Sequence, residues 1–319
     1  MDLSSSQKPC GRNPIVLIIL CIALLAIGCG PSGSDRTTTT IDRSDKHLAN
    51  VFQDAKKRLR GNVDSALSSI EQIEILAKSS SDARSLLRAR GLKAEVLLHH
   101  RAAGFEQYMK EMEAYDILGA PEAYAPWAAY YRALWQLEEH RWDLADSILT
   151  NQFRGGIGPN DPELHLRCRI AQIQLFAHRK EQIKADSLAE ILRPALEMRG
   201  DPELLWLYKQ AHANAHLNGA DPEGAELLYE ESLTAARAMG LAYAEGLSQK
   251  GLAYAQIDQG LADKSAITAN KADAALLLAG DIRDRVEVLR IIGYCYWEKL
   301  GPEEVVKPWD LALRIADSL

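Results

Sequence analysis

The stretch LRIIGYCYWEKLGPEEVVKPWDLALRIA, residues 289–316, reads as two helices joined by a short break. Leu289, Ile292 and Tyr296 fall at steps of three and four, which places them on one helix face. The run Leu300-Gly301-Pro302-Glu303 interrupts that pattern. Proline fits a first helical turn, and glutamate suits the positive end of a helix. Val305, Trp309 and Ala312 then resume the spacing. Small residues such as Gly293 let two helices approach closely, and aromatic rings plug the space between neighbouring hairpins.

The same pattern recurs upstream. LSQKGLAYAQIDQG (247–260) repeats the first half with Leu247, Gly251 and Tyr254, and GAELLYEESL (224–233) repeats the second with Ala225, Tyr229 and Ser232. Breaks fall at SSSDA (79–83), GAPEA (119–123), GPNDPE (158–163), RGDPE (199–203), MGLAY (239–243) and AGDIR (279–283). Units therefore start near 81, 121, 160, 201, 241 and 281, at spacings of 40, 39, 41, 40 and 40, after an initial unit at 44–80. Each unit divides again near its middle, as at LNGADPEGA (217–225). From residue 44 onward there is almost no strand signal. The expected fold class is all-α, an α-solenoid of about seven helix-turn-helix units.

These hairpins resemble the tetratricopeptide repeat, in the long variant found in bacterial regulator and signalling arrays. The likeness is sharp over 201–319, while units 81–200 keep the period better than the signature. It implies a right-handed superhelix with a concave face lined by first helices, a surface that binds peptides or protein segments. It also implies that Gly293 and Tyr296 pack inward, that Tyr294 and Trp297 lie nearer the concave side, and that Gln210 and Asn214 occupy a similar side of the fifth unit.

The N-terminus carries an address. The apolar run Ile15–Ile27 has thirteen residues, short of the roughly 20 that a spanning helix needs. Lys8 and Arg12 precede it, and the order basic, apolar, small is that of a secretory signal peptide. Leu25-Ala26-Ile27-Gly28-Cys29 resembles a lipobox, with Ala26 where leucine is commonest. The resemblance implies removal of residues 1–28, a diacylglycerol on Cys29 and acylation of the new amino terminus. It further implies a lipid-anchored protein of the cell envelope. With Gly30 after the cysteine, the default is the outer membrane facing the periplasm in a host with two membranes. Residues 30–43, GPSGSDRTTTTIDR, are small and polar and read as a tether. The expected organisation is a signal peptide at 1–28, the lipidated cysteine and tether at 29–43, and the repeat domain at 44–319.

Charge narrows the partners. Removing residues 1–28 takes away Lys8, Arg12 and Asp2 and moves the formal charge from −7 to −8. An acidic chain lacks the basic patches that nucleic acid requires. Cys168 and Cys295, in distant units, are expected as free buried thiols.

The most unusual unit contains YAPWAAYYRALWQLEEHRW, residues 124–142. Tyr124, Trp127, Tyr131 and Trp135 share one helix face, and Tyr130, Leu134 and Leu137 occupy much of the rest. Such a helix is either inter-repeat core or an aromatic floor to the groove. In the second case Tyr130, Tyr131 and Trp135 are the candidate contacts, because tyrosine and tryptophan combine large area with a polar tip.

Catalytic signatures are missing from the sequence. FRGGIGPND (153–161) is glycine-rich but lacks the strand and the Gly-Lys-Ser/Thr ending of a phosphate loop. HANAH (212–216) has the histidine spacing of a zinc protease helix, yet Ala213 stands where the general-base glutamate would be. Without a third ligand in reach of the sequence, His212 and His216 read as a structural pair, with no metal and no cofactor. The carboxylates are scattered as on solvated helix faces. The expected function is a non-enzymatic scaffold or adaptor that holds a protein or peptide in its concave face; the alternative is a small-molecule or glycan receptor using the aromatic unit. Val305, Trp309, Ala312, Ile315 and Leu319 give the last helix an apolar face without the usual polar cap, which suggests a homodimer contact.

Overall fold

A left-handed residue punctuates the chain about every twenty positions. Ser81, Arg101, His140, Lys180, Gly200, Ala220, Gly240, Gly260 and Gly280 all have φ between +48° and +74°. At seven of them the next amide bonds the carbonyl five residues back, as Glu181 does to Phe176 (2.9 Å) and Asp281 to Leu276 (2.9 Å). This is the Schellman closure that satisfies the last carbonyls of a helix. An aspartate often follows and caps the next helix. The Asp201 carboxylate accepts from the amides of Glu203 (2.9 Å) and Leu204 (3.4 Å), and Asp221 accepts from Gly224 (3.0 Å). Pro202 and Pro222 sit at the first turn, where no amide is missed.

The computed structural model describes residues 36–115, 124–155, 161–300 and 302–317. The described residues form fourteen helices and no strand. They pair as hairpins: α1 (Arg36–Arg58) with α2 (Val63–Ser79), α3 (Ala83–His99) with α4 (Phe105–Ala114), and α5 (Tyr124–Glu138) with α6 (Trp142–Arg154). Then come α7 (Pro162–His178) with α8 (Gln182–Arg199), α9 (Pro202–Asn218) with α10 (Pro222–Met239), α11 (Ala242–Asp258) with α12 (Ala262–Ala279), and α13 (Ile282–Leu300) with α14 (Pro302–Ala316). The forty-residue period is thus an α-solenoid of seven hairpins. None of the described helices is long and apolar enough to cross a membrane.

Burial separates the two helices of a hairpin. First helices are enclosed on several sides: α7 buries nine residues and α11 ten, against two in α6 and four in α8. Second helices keep an outer face, where Ile183, Ile191 and Met198 are exposed. Glycine is required where rings press in. The Tyr229 ring of α10 occupies the place of a side chain at Gly251 on α11, and the Trp309 indole does the same at Gly293. Cys168 and Cys295 are buried thiols outside any disulfide, and burial pushes the Cys168 thiol up to about 12, so it is inert.

At the N-terminus, α1 begins at Arg36, inside the segment expected to be a tether. Between Arg36 and Arg60 there is no glycine or proline to stop a helix, so the turns of α1 run back through the polar sequence. Residues 1–35, with Cys29 and the whole signal segment, lie outside the described residues. At the other end, Val305 and Ala312 are buried against α13, while Val306 and Leu313 are exposed.

Residues 47–319 form one compact unit, and within it the solenoid meets itself. Gln53 on α1 donates to the Met239 carbonyl at the end of α10 (2.9 Å). Gly61 lies against Ala279 and Gly280, so the first intra-hairpin turn abuts the last inter-hairpin one. Arg283 on α13 donates to the His99 carbonyl of α3 (3.2 Å) and to Glu138 of α5 (3.1 Å). The concave face expected from the sequence is therefore an axial space across which early and late hairpins touch.

Candidate functional site

Charged side chains from the first helices converge on that axis. Arg167 of α7 donates to Glu203 of α9 (2.5 Å) and to Glu163 (3.3 Å), and Lys56 of α1 bonds the same Glu203. A second knot holds Asp284 between Arg60 (3.1 Å) and Lys250, with Arg60 also 3.5 Å from Asp281. Burial alone would raise the Glu203 carboxyl, but Arg167 and Lys56 outweigh it and hold it down at about 2. Asp284 is held well below the usual carboxylate range by Lys250 and Arg60, against the same burial. Burial, seconded by Arg60, lowers the pKa of His99 against the opposing pull of Asp281, whose carboxylate lies 3.4 Å from its Nε2. His99, Asp281 and Asp284 lie close enough to hold a cation. Arg60 and Lys250 already supply that positive charge.

Two cavities remain on the axis, of about 370 Å³ and 760 Å³. Glu95, Arg167 and Glu203 line both. Glu95 differs from its neighbours. Its carboxylate accepts from the Tyr131 hydroxyl (3.3 Å), and no cation is bonded to it among the described residues. Burial and the neighbouring Glu203 charge push its pKa up, against the opposing pull of the Arg167, Lys56 and Arg60 charges. A carboxyl group without a bonded cation, facing two cavities, is where a cationic ligand group gains most.

The wall of the larger cavity suits a peptide backbone. Gln210 and Asn214 stand one turn apart on α9. Gln210, in the cavity lining, uses its amide nitrogen on the Ser248 hydroxyl (2.9 Å), which leaves its oxygen as an acceptor. The Asn214 oxygen accepts from Tyr229 (2.5 Å), which leaves its amide nitrogen as a donor. One turn of helix thus presents one acceptor and one donor.

The residues picked out from the sequence divide between this site and elsewhere. Tyr130, Gln210 and Asn214 line the larger cavity, and Tyr131 the smaller. Tyr130 and Tyr131 are both buried, so the aromatic helix is core on most sides and cavity wall on one. Trp135 stacks on Phe105 of α4 (4.6 Å between ring centroids) and is not among the lining of either cavity. Tyr294 and Trp297 also lie outside both linings; they are exposed near the end of α13, where Trp297 stacks on Trp309. The sequence reading missed Arg60, Glu95, Arg167, Lys250 and Asp284. Their one signal is a charge on nearly every first helix, at a position that a solvated face would carry equally well.

The sequence matches no protein-family model and no curated protein. Among solved structures the chain is similar to a Rap protein crystallised in complex with competence and sporulation factor. The TM-score is 0.59 and the sequence identity 15%, over 85% of this chain and 77% of that one. The likeness is one of fold, and it agrees with a tetratricopeptide-type helical repeat.

Proposed function

We propose that the protein is a non-enzymatic binding scaffold that encloses a short peptide, or an extended segment of a protein partner, in its axial cavity. The observation that carries this reading is the acceptor–donor pair of Gln210 and Asn214 facing a cavity of about 760 Å³, within the size range of ordinary ligand sites. An extended main chain offers the matching N–H and C=O groups. Glu95 adds a preference for a ligand with a basic group. The Rap protein of similar fold, crystallised with a factor bound, is a precedent for a solenoid of this kind holding a ligand. The test is selection from a defined peptide library on the full chain, followed by affinity measurement on Gln210→Ala and Asn214→Ala. Retained peptides should contain a basic residue and weaken about tenfold or more on each variant, since one lost hydrogen bond to a buried partner costs about 1–3 kcal/mol. Failure to retain any peptide, or affinities untouched by either variant, overturns the reading and favours a small molecule or glycan.

The scaffold is further proposed to act at the cell envelope, anchored by lipid on Cys29. The signal pattern at 15–29 supports this. Labelling with a fatty-acid analogue, and recovery in the membrane fraction, should both be lost in Cys29→Ala.

A further inference from the structure

The face of α9 opposite the cavity carries a different arrangement. Gln210 and Asn214 point to the axis, and His212 and His216, offset by two residues, fall about 200° round the helix. There they meet Asp186 of α8, the third ligand the sequence did not reveal because it comes from the preceding hairpin. Asp186 Oδ1 is 2.9 Å from His212 Nε2 and 3.2 Å from His216 Nε2, and the two Nε2 atoms are 3.3 Å apart. Ligands bonded to a tetrahedral zinc at about 2.0–2.1 Å stand about 3.3 Å from one another. Three atoms able to offer a lone pair thus form nearly one face of that tetrahedron, before any ion is present.

The surroundings fit the same purpose. His216 Nδ1 is 2.6 Å from Asp221 Oδ2, and the other oxygen of Asp221 accepts from the Gly224 amide (3.0 Å). The Gln182 amide nitrogen, a donor, lies 3.2 Å from the same Nδ1 and competes for it when that nitrogen carries no proton. The carboxylate, itself held by α10, favours the His216 tautomer with the proton on Nδ1, which leaves Nε2 to coordinate. Asp186 is half-exposed, so the fourth corner opens to solvent. His212 Nδ1, by contrast, is buried with no partner. The lack of that support weakens a site roughly ten- to a hundredfold.

We propose that Asp186, His212 and His216 form a binding site for a divalent transition metal of the zinc class, with water in the fourth position. An imidazole–carboxylate donor set suits zinc, cobalt and nickel and disfavours calcium and magnesium. The ion clasps α8 to α9 and so fixes the angle between the fourth and fifth hairpins, one helix thickness from Gln210 and Asn214.

The test uses the full chain in detergent, made without a histidine tag and stripped with a chelator, then titrated with cobalt(II) and zinc(II). One equivalent of cobalt should develop the intense visible absorption of four-coordinate geometry, zinc should bleach it, and zinc should raise the unfolding midpoint. Asp186→Asn, at a half-exposed position, and His216→Gln should each weaken binding about tenfold or more while the metal-free circular dichroism stays unchanged. A cobalt spectrum no different from the hydrated ion, or binding of equal strength in the protein carrying both Asp186→Asn and His216→Gln, overturns the site.

Discussion

Glu95 is the residue at which stability and binding pull apart. Its carboxyl has a raised pKa because burial and Glu203 both oppose its charge. Below about pH 4.5 the group is neutral in folded and unfolded chains alike, and it contributes nothing to the balance. Above its folded pKa the ionised form is disfavoured only in the folded state, so it destabilises. Glu95→Gln is therefore expected to raise the unfolding midpoint at pH 7 and to leave it unchanged near pH 4. Urea unfolding at the two pH values checks this. The same change should weaken a basic peptide in the cavity. Glu203 has the opposite sign: its depressed pKa gives stability that is present above about 4.5 and is lost as pH falls toward about 2. None of this was legible in the sequence, where Glu95 and Glu203 look like any solvated helix carboxylate. What separates them is a neighbour 36 residues away in one case and 147 in another.

At the scale of the element, most of the fold was legible. The Asp-Pro-Glu starts became side-chain caps with proline in the first turn, and the breaks at 79–83, 199–203, 239–243 and 279–283 became left-handed turns. These are local signals, satisfied within one helix end, and so a single sequence displays them. Packing partners were less legible. Gly251 and Tyr229 were both visible as repeat positions, yet Tyr229 packs on Gly251 from the preceding hairpin. Gly251→Ala would drive a methyl group into that ring. The expected loss is about 1–3 kcal/mol, seen as a lower unfolding midpoint. At Gly240 nothing stands in the way, but φ is +62°. The element also explains the hidden third ligand at HANAH. Helical spacing shows what shares a face, never which helix that face meets.

For the whole molecule, the contact of Arg60 with Asp284 and Asp281 bridges 224 and 221 residues of sequence. Open solenoids behave as a row of nearest neighbours, with weak ends. Here hairpin one rests on the later hairpins, so both ends of the row share a seam. Arg60→Ala leaves two carboxylates in a protein interior without that partner, and it is expected to cost about 3–5 kcal/mol. Native-state hydrogen exchange should show protection falling together in α1 and α13, although the two are at opposite ends of the chain. Loss confined to α1 would mean that the seam is not a cooperative unit. This closure could not be read from the period. A forty-residue repeat sets how one hairpin follows the next, while small rotations, summed over seven hairpins, decide whether the ends meet.

A groove that is open along its length can be entered from the side at the rate of encounter. Here Arg60 and Lys250 with Asp284, and Arg283 with Glu138 and the His99 carbonyl, tie α13 to earlier hairpins along the larger cavity, and a ligand entering between them must part these bonds, which then act as a gate. Loading then waits for the gate, and association should stop rising with ligand concentration once opening becomes the slow step. The latch is made of ion pairs, so added salt loosens it. Stopped-flow association of a selected peptide should therefore reach a higher plateau rate in high salt, and its release should quicken as well, with residence time set by the latch.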